Sequence, residues 1–315
     1  MRTAMDRRTV GRSDRWTFTE PALWGLVGNT PLVPVKLSDG PTVLLKCEWL
    51  NPGGSVKDRP ALFILRDGIV REELPAKRLL DASSGNTAIA YAMLGAAAGV
   101  RVTVCVPANA SAERRALLEA YGADVILTDP LEGSDGAICR ARELAAAHPD
   151  LYWYADQYSH PANPRAHRLT TAEEIWRQTG GGITHFVAGV GTTGTLVGAA
   201  RRLKELNPDI QVIGVQPDGP FHGIEGLKHL ETAMVPPIYD PALADRMEFV
   251  STEEAEAVVR RLAHEAGLFV GWSTGAAVVA AQRLLSDRPT VRPSDTVVVV
   301  IAPDSGVRYL SERRP

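Results

Sequence analysis

The chain has 315 residues, 45% of them hydrophobic, enough apolar material for one large or two medium cores. Its 34 basic and 37 acidic residues are interspersed and leave a formal net charge of −3, so the electropositive footprint that nucleic acid needs is missing and small-molecule chemistry is the class that remains. The three widely spaced cysteines, Cys47, Cys105 and Cys139, read as buried reduced thiols, no metal is expected, and the longest small-apolar stretch, Ala88 to Val100, is too short and too interrupted by Gly95 and Gly99 to span a membrane.

In chain order, a polar arm over residues 1–19 is rich in Arg and Asp and lacks the apolar core of a signal peptide, which predicts a cytoplasmic protein. A strand follows at Val43–Cys47, and then the glycine-rich turn Asn51–Pro60 runs into a helical pattern over Ala61–Glu72. Lys57 would lie near that helix N-terminus, whose partial positive charge favours the neutral amine, the form that attacks an aldehyde. Taken alone it reads as an ordinary surface lysine, and its companions change that reading. The strand Leu79–Ala82 leads into Ser83-Ser84-Gly85-Asn86-Thr87 and a helix from about Ala88. Two hydroxyls, a glycine that permits close approach and the orphan N–H groups of a helix start make either a carboxylate receptor or a helix cap. Strands are predicted at Val102–Val106, Val125–Thr128 and Tyr152–Tyr154, with a helix from near Ser111 that sets Leu117, Leu118 and Tyr121 on one face and stops at Gly122.

Beyond the midpoint, the strand His185–Ala188 feeds Gly189-Val190-Gly191-Thr192-Thr193-Gly194-Thr195 and a helix carrying Leu196, Val197 and Ala200. The G-x-G-x-x-G match raises a dinucleotide site, but the strand Val212–Val215 runs on into Gln216-Pro217-Asp218 without a ribose-binding acid at the usual position. Three threonine hydroxyls with backbone N–H groups suit the phosphate of a monoester, such as a phosphate-bearing cofactor. His160–Pro164 and Asp218–Gly226 read as loops, as does Asn51–Gly54. Ser251 with Glu254 makes a capping box for a helix that buries Ala255, Val258, Val259 and Leu262, and a last strand is predicted at Val297–Ile301. Several strands are apolar throughout, as parallel strands covered on both faces are, so the reading is an α/β fold with largely parallel sheets flanked by helices and with ligands at the carboxyl ends of strands.

The ordered set, from Gly28-Asn29-Thr30-Pro31-Leu32 through Gly54-Ser55-Val56-Lys57-Asp58-Arg59 to Pro303-Asp304-Ser305-Gly306, resembles the fold type II, or β-family, pyridoxal-phosphate enzymes, in their cysteine synthase and cystathionine β-synthase branch. The resemblance implies two domains, each with a largely parallel twisted sheet: residues 47–155 as the smaller, mobile, substrate-binding one, and 20–46 with 156–315 as the larger one that binds the cofactor phosphate. It also implies a homodimer. Lys57 would carry pyridoxal 5'-phosphate as a Schiff base and serve as the acid–base group at the substrate α-carbon, while Asn86 would bond the cofactor's phenolic oxygen. Ser83, Ser84, Gly85 and Thr87 would bind the substrate carboxylate, with Gln157, in the run Gln157–Asn163, as a second contact. Gly191, Thr192, Thr193, Gly194 and Thr195 would hold the phosphate. Ser273, in Gly271-Trp272-Ser273-Thr274-Gly275, would face the pyridine nitrogen, cap the helix ahead of Gly275, or do both; a neutral hydroxyl there leaves the ring a weaker electron sink and favours elimination.

The implied activity is a ping-pong β-replacement of O-acetyl-L-serine or O-phospho-L-serine by sulfide, giving L-cysteine. Phe221–His229 lies where the family recognises the β-substituent, through Gly223 and Lys228; the cation of Lys228, with His222 and His229 beside it, would hold a phosphate leaving group or else be a solvated charge. Trp272 stands where the family often has a smaller residue and is expected to narrow the pocket. The rivals are a cystathionine β-synthase using homocysteine, an NAD-dependent oxidoreductase built on the glycine-rich loop, and a non-catalytic binding protein, against which the joint presence of Lys57, Asn86 and Ser273 argues.

Overall fold

Residues 18–37, 42–83, 85–286 and 296–311 are described by the computed structural model. Nearly all of the polar arm expected over residues 1–19 lies outside them, and so does Ser84.

Ten strands among the described residues form two sheets. The larger has the order β1 (Leu32–Lys36), β2 (Thr42–Cys47), β10 (Val298–Ala302), β7 (His185–Gly189), β8 (Gln211–Pro217), β9 (Arg246–Val250), with only the β1–β2 pair antiparallel. The smaller is parallel throughout, in the order β5 (Asp124–Thr128), β4 (Val102–Pro107), β3 (Arg78–Ala82), β6 (Tyr152–Tyr154). All residues of β4 and β10 are buried, which is why these strands read as unbroken apolar runs. The two strands absent from the sequence reading are both at sheet edges. β1 holds Pro34, which only an edge tolerates, and β9 buries charged Glu248 beside Val250 while Phe249 is exposed, so its burial does not follow its hydropathy.

The larger sheet is covered on one face by α8 (Thr252–Ala266) and α9 (Trp272–Ser286), and on the other by α6 (Ala172–Gln178) and α7 (Gly194–Leu206). Against the smaller sheet, α1 (Asp58–Val70) and α2 (Asn86–Ala97) share a core with Trp24, whose Nε1 donates to the Leu94 carbonyl at 3.1 Å. α4 (Gly133–Ala147) covers the other side. The capping box at Ser251 and Glu254 forms as expected. α1 starts at Asp58, three residues before the expected Ala61, because Pro60 in the first turn needs no hydrogen-bond partner for its nitrogen.

Three local expectations are corrected. In α3 (Ala112–Ala120) the buried stripe runs through Arg114 and Leu118, one turn apart, so Leu117, about 100° round the helix, faces solvent and Tyr121 is only half-buried. The loop expected at His160–Pro164 passes into α5 (Ala162–Ala166), with Pro161 as its cap, and a π-helical turn at His167–Thr171 joins it to α6. Cys47 and Cys105 are buried thiols, but Cys139 is on the exposed side of α4. No helix among the described residues is long and apolar enough to cross a membrane. The ends of β2, β3, β7 and β10 converge, and the loops that follow them build one recess.

Candidate active site

Lys57 is the residue that caps α1, and the loop before it is stitched to the end of β10: the Val56 N–H donates to the Pro303 carbonyl at 2.8 Å, and Ser55 bridges Asp304. Behind it lies a buried ionic cluster. Arg59 donates from Nε to Glu48 at 2.6 Å and from Nη1 to Glu174 at 2.7 Å, while Lys46 donates to Glu174 at 2.7 Å. Thr30 and Asn29 add bonds to the same two carboxylates, which fixes the Gly28–Leu32 turn against the start of α1. The Lys57 ammonium is desolvated, which lowers its pKa, and the nearby Asp304 carboxylate only partly opposes that.

The loop after β3 forms the second wall. Ser83 Oγ accepts from the N–H groups of Gly85 and Ala88, each at 3.2 Å, so Ser83 caps locally and also lines the cavity, with Gly85, Thr87, Lys57 and Gln157. The Gln157 side chain is fixed at both ends: Nε2 donates to the Ala82 carbonyl at 2.6 Å, and Oε1 accepts from the Thr87 hydroxyl at 2.7 Å. This cavity measures about 280 Å³.

The loop after β7 forms the third wall. Thr193 holds a left-handed φ of 69° as the cap of α7, and its Oγ1 is buried with no hydrogen-bond partner. A Cβ at Gly191 would stand 2.2 Å from the Gly226 carbonyl oxygen, and one at Gly194 would stand 1.9 Å from Asn163 Oδ1, so the chain passes too close to its neighbours for any side chain. Thr192, Thr193, Thr195 and Ser273 share a narrow recess with Lys57 and Asn86. Ser273 is the second residue of α9, inside its first turn and not its cap. Asn86 Nδ2 donates to Asp304 at 2.6 Å, and Asn86 Oδ1 accepts from Arg308 Nη1 at 2.6 Å.

Two supporting side chains escaped the sequence reading. Asn163 Nδ2 donates to the Gln157 carbonyl at 2.7 Å and to Thr192 Oγ1 at 3.2 Å, joining the second wall to the third; its place at the end of the run Gln157–Asn163 was the one available signal. His167 contacts Thr171 Oγ1 through Nδ1 at 2.9 Å and Thr195 Oγ1 through Nε2 at 3.2 Å. Burial, with the charge of Arg59 behind it, pushes the His167 pKa down to about 3, so the ring is neutral. Nothing local in the sequence marks it.

At the mouth, three expectations change. Lys228 is buried and already paired with Asp135 at 2.7 Å, with its ammonium 5.3 Å from the Tyr158 ring centre, so it is not a free cation. Gly223 donates its N–H to Thr252 Oγ1 at 2.9 Å and is not among the residues that line the cavity. Trp272 stacks edge-on against Tyr309, centroids 5.2 Å apart, and its other side faces a separate pocket beside Val259, Ala263 and Phe269. It therefore leaves the substrate cavity unnarrowed, because the first turn of α9 sends adjacent side chains in different directions. Arg114 also lines the cavity, 3.6 Å from Glu225.

The donor set fits pyridoxal phosphate. The Thr193 hydroxyl awaits a partner at a helix N-terminus, where an anion is favoured; a desolvated amine stands within the same recess; and a neutral hydroxyl, Ser273, lies along it. A family model described as pyridoxal-phosphate dependent enzyme matches residues 23–302. A cysteine synthase of Aquifex aeolicus is 51% identical over 296 residues, which cover 91% of this chain and 89% of that protein. The crystal structure of a cysteine synthase from Entamoeba histolytica superposes with a TM-score of 0.85 at 31% identity, over 99% of this chain and 92% of that one. The structure of an O-acetylserine dependent cystathionine β-synthase from Helicobacter pylori gives a TM-score of 0.85 at 36% identity, over 92% and 96% of the two chains.

Proposed function

The chain belongs to the pyridoxal-phosphate dependent enzymes, and from that premise we propose that it is a cysteine synthase which replaces the β-substituent of an O-acylated L-serine with sulfide. The observation that carries the reading is the placement of Lys57: a desolvated amine common to the wall of a polar cavity of about 280 Å³ and to a threonine-lined recess at the start of α7. Pyridoxal phosphate, held at that amine, would supply the electron sink that acidifies the substrate α-C–H and lets the β-substituent leave.

The protein's own groups do the rest. Thr192, Thr193 and Thr195, with the free N–H groups of the first turn of α7, receive the phosphate, and neutral His167 fixes Thr195 without adding a charge that would compete. Thr87, Gln157 and the N–H groups at the start of α2 receive the substrate carboxylate. The Lys57 amine is placed to take the α-proton; burial lowers its pKa, which favours the neutral, basic form. Ser273 offers the ring nitrogen a hydroxyl and no carboxylate, which favours elimination. Closure of the part that bears the smaller sheet keeps water from the site.

Both cations at the mouth are already paired, Lys228 with Asp135 and Arg114 with Glu225, so holding a dianionic phosphate would mean breaking an ion pair. This supports O-acetyl-L-serine ahead of O-phospho-L-serine. We take the working form to be a homodimer acting in a reducing cytoplasm, in keeping with the buried free thiols of Cys47 and Cys105. The test is a turnover assay with each serine ester against sulfide and against homocysteine. Sulfide with O-acetylserine is expected to give the highest kcat/KM. A homocysteine rate that exceeds it would move the reading to the second candidate, which the Helicobacter pylori structure favours. Lys57→Ala is expected to abolish turnover and the visible absorption of the bound cofactor, and undiminished activity in that variant would refute the assignment.

A further inference from the structure

Asp81, near the carboxyl end of β3, is wholly buried, and among the described residues no cation is hydrogen-bonded to it. Its two oxygens serve separate segments: Oδ1 accepts from the Ala82 N–H at 2.8 Å, and Oδ2 accepts from the Gln157 N–H at 3.2 Å. Ala82 leads directly into Ser83 and the loop that caps α2, while Gln157 crosses to the same loop through the Ala82 carbonyl and the Thr87 hydroxyl. The two halves of the carboxylate receptor are therefore tied to each other through one side chain beneath them. Backbone N–H groups can only donate, so the tie needs acceptors on both prongs.

We infer that Asp81 is a positioning residue for the amino-acid substrate: ionised, it clamps the Gln157 backbone to that of Ala82 and sets the spacing of the groups that receive the substrate carboxylate; protonated, it lets Gln157 go. This rests on the proposed reading of the loop after β3 and Gln157 as that receptor. The surroundings make the switch accessible. Facing Asp81 are Tyr91 from α2, Cys105 from β4, Tyr154 from β6, and Asp156 and Tyr158 from the turn beyond it. Two cations of α4 act on these neighbours, Arg142 approaching Asp156 at 4.0 Å and Arg140 acting on Cys105. The buried Tyr91 hydroxyl lies against the Asp81 carboxylate and favours its ionised form. Burial raises the Asp81 pKa most and Asp156 adds to it, while the Ala82 N–H, the Tyr91 hydroxyl and the Gln157 N–H oppose it, which leaves it at about 7.

The test uses the wild-type holoenzyme and L-serine, a ligand without a good leaving group, with binding followed through the absorption of the cofactor between about pH 6 and about pH 8.5 and expressed per serine with an unprotonated α-amine, so that titration of the ligand itself drops out. Affinity is expected to weaken roughly tenfold toward the acid end, the scale of one buried charge-assisted hydrogen bond. Asp81→Asn, which presents a donor where an acceptor is needed, is expected to raise KM for O-acetylserine about tenfold at the alkaline end, keep kcat within about twofold, leave KM for sulfide unchanged and flatten the acid limb. A pH-independent serine affinity in the wild type overturns the inference, as does an Asp81→Asn enzyme that keeps the wild-type KM and acid limb, or one that loses kcat with KM unmoved. If the variant does not fold, the wild-type titration decides alone. Absence of any absorption change with L-serine at every pH overturns the proposed function as well, whereas binding that is present but flat in pH overturns only the role of Asp81.

Discussion

Arg59→Met tests whether the buried ionic cluster holds the start of α1 where Lys57 needs it. Arg59 is 1% exposed, and its guanidinium donates to Glu48 at 2.6 and 2.7 Å, to Glu174 at 2.7 and 2.8 Å, and to Thr30 Oγ1 at 3.1 Å. Methionine fills much of the volume but removes one of the two cations that balance two carboxylates. Glu174 keeps its bond to Lys46, whereas Glu48 keeps the Thr30 hydroxyl, the Asn51 amide and the charge of Lys46 without a hydrogen bond to it. Leaving a buried carboxylate without its cation costs about 3–5 kcal/mol, a large share of the ~5–15 kcal/mol that holds a typical fold, and at roughly 2–4 °C per kcal/mol the expected fall in Tm is about 10 °C.

The pH dependence gives the sign. Burial pushes the pKa of Glu48 and Glu174 up, but Arg59 pulls harder, so both lie below the ordinary value of 4.5, Glu174 at about 2. In the wild type this stabilisation is present above the ordinary carboxylate pKa and is lost as the pH falls toward the depressed values. In the variant the push from burial prevails at Glu48, its pKa rises, and stability is lost as the pH rises through the new value. The Tm difference between the two proteins should therefore be wider at about pH 8 than at about pH 5. Scanning calorimetry of the two holoenzymes at both pH values is the assay. A deficit below about 3 °C at the alkaline pH, or one that widens in acid, would refute the reasoning.

Gly191→Ala places a methyl 2.2 Å from the Gly226 carbonyl oxygen, a backbone atom that cannot rotate away, so equilibrium dialysis should show cofactor affinity at least ~10-fold weaker, with the fold retained by circular dichroism. His167→Phe keeps a planar ring but releases Thr195; a several-fold loss of cofactor affinity that does not change between about pH 6 and about pH 8 is expected, because the wild-type ring is neutral throughout that range. Burial, opposed by the Gly53 N–H, raises the Asp58 pKa to about 7, so its contribution to stability is full below the ordinary carboxylate pKa and is lost as the pH rises through about 7. Asp58→Asn removes that loss: urea midpoints should show the variant gaining on the wild type at about pH 8 relative to about pH 5, and parallel midpoint profiles would count against a buried ionised Asp58.

Much of the architecture is legible locally. The apolar runs at Val102–Val106 and Val297–Ile301, the capping box at Ser251, and the glycines and threonines of the loop after β7 each report steric and hydrophobic constraints that act between near neighbours in the chain. Lys57, Asn86, Thr87 and Thr192 to Thr195 could be picked out for the same reason, since each stands where a loop turns into a helix. The edge strands β1 and β9 were not legible, because a half-covered edge with proline or charge carries little periodicity.

What the sequence by itself determined was which segments become strands, helices and anion-binding turns, because those follow from side chains within a few residues of one another. Partnership across the chain was decided by the tertiary structure alone: Arg59 with Glu174, Asn86 with Asp304, Thr195 with His167, Gln157 with Asp81, and Lys228 with Asp135, the pair that takes away the free cation its loop seemed to offer. It also turned Trp272 away from the cavity and set Leu117 and Cys139 in solvent. The physical reason is that a hydrogen bond or an ion pair depends on distance and desolvation, and packing fixes both only when segments far apart in sequence are brought into one core.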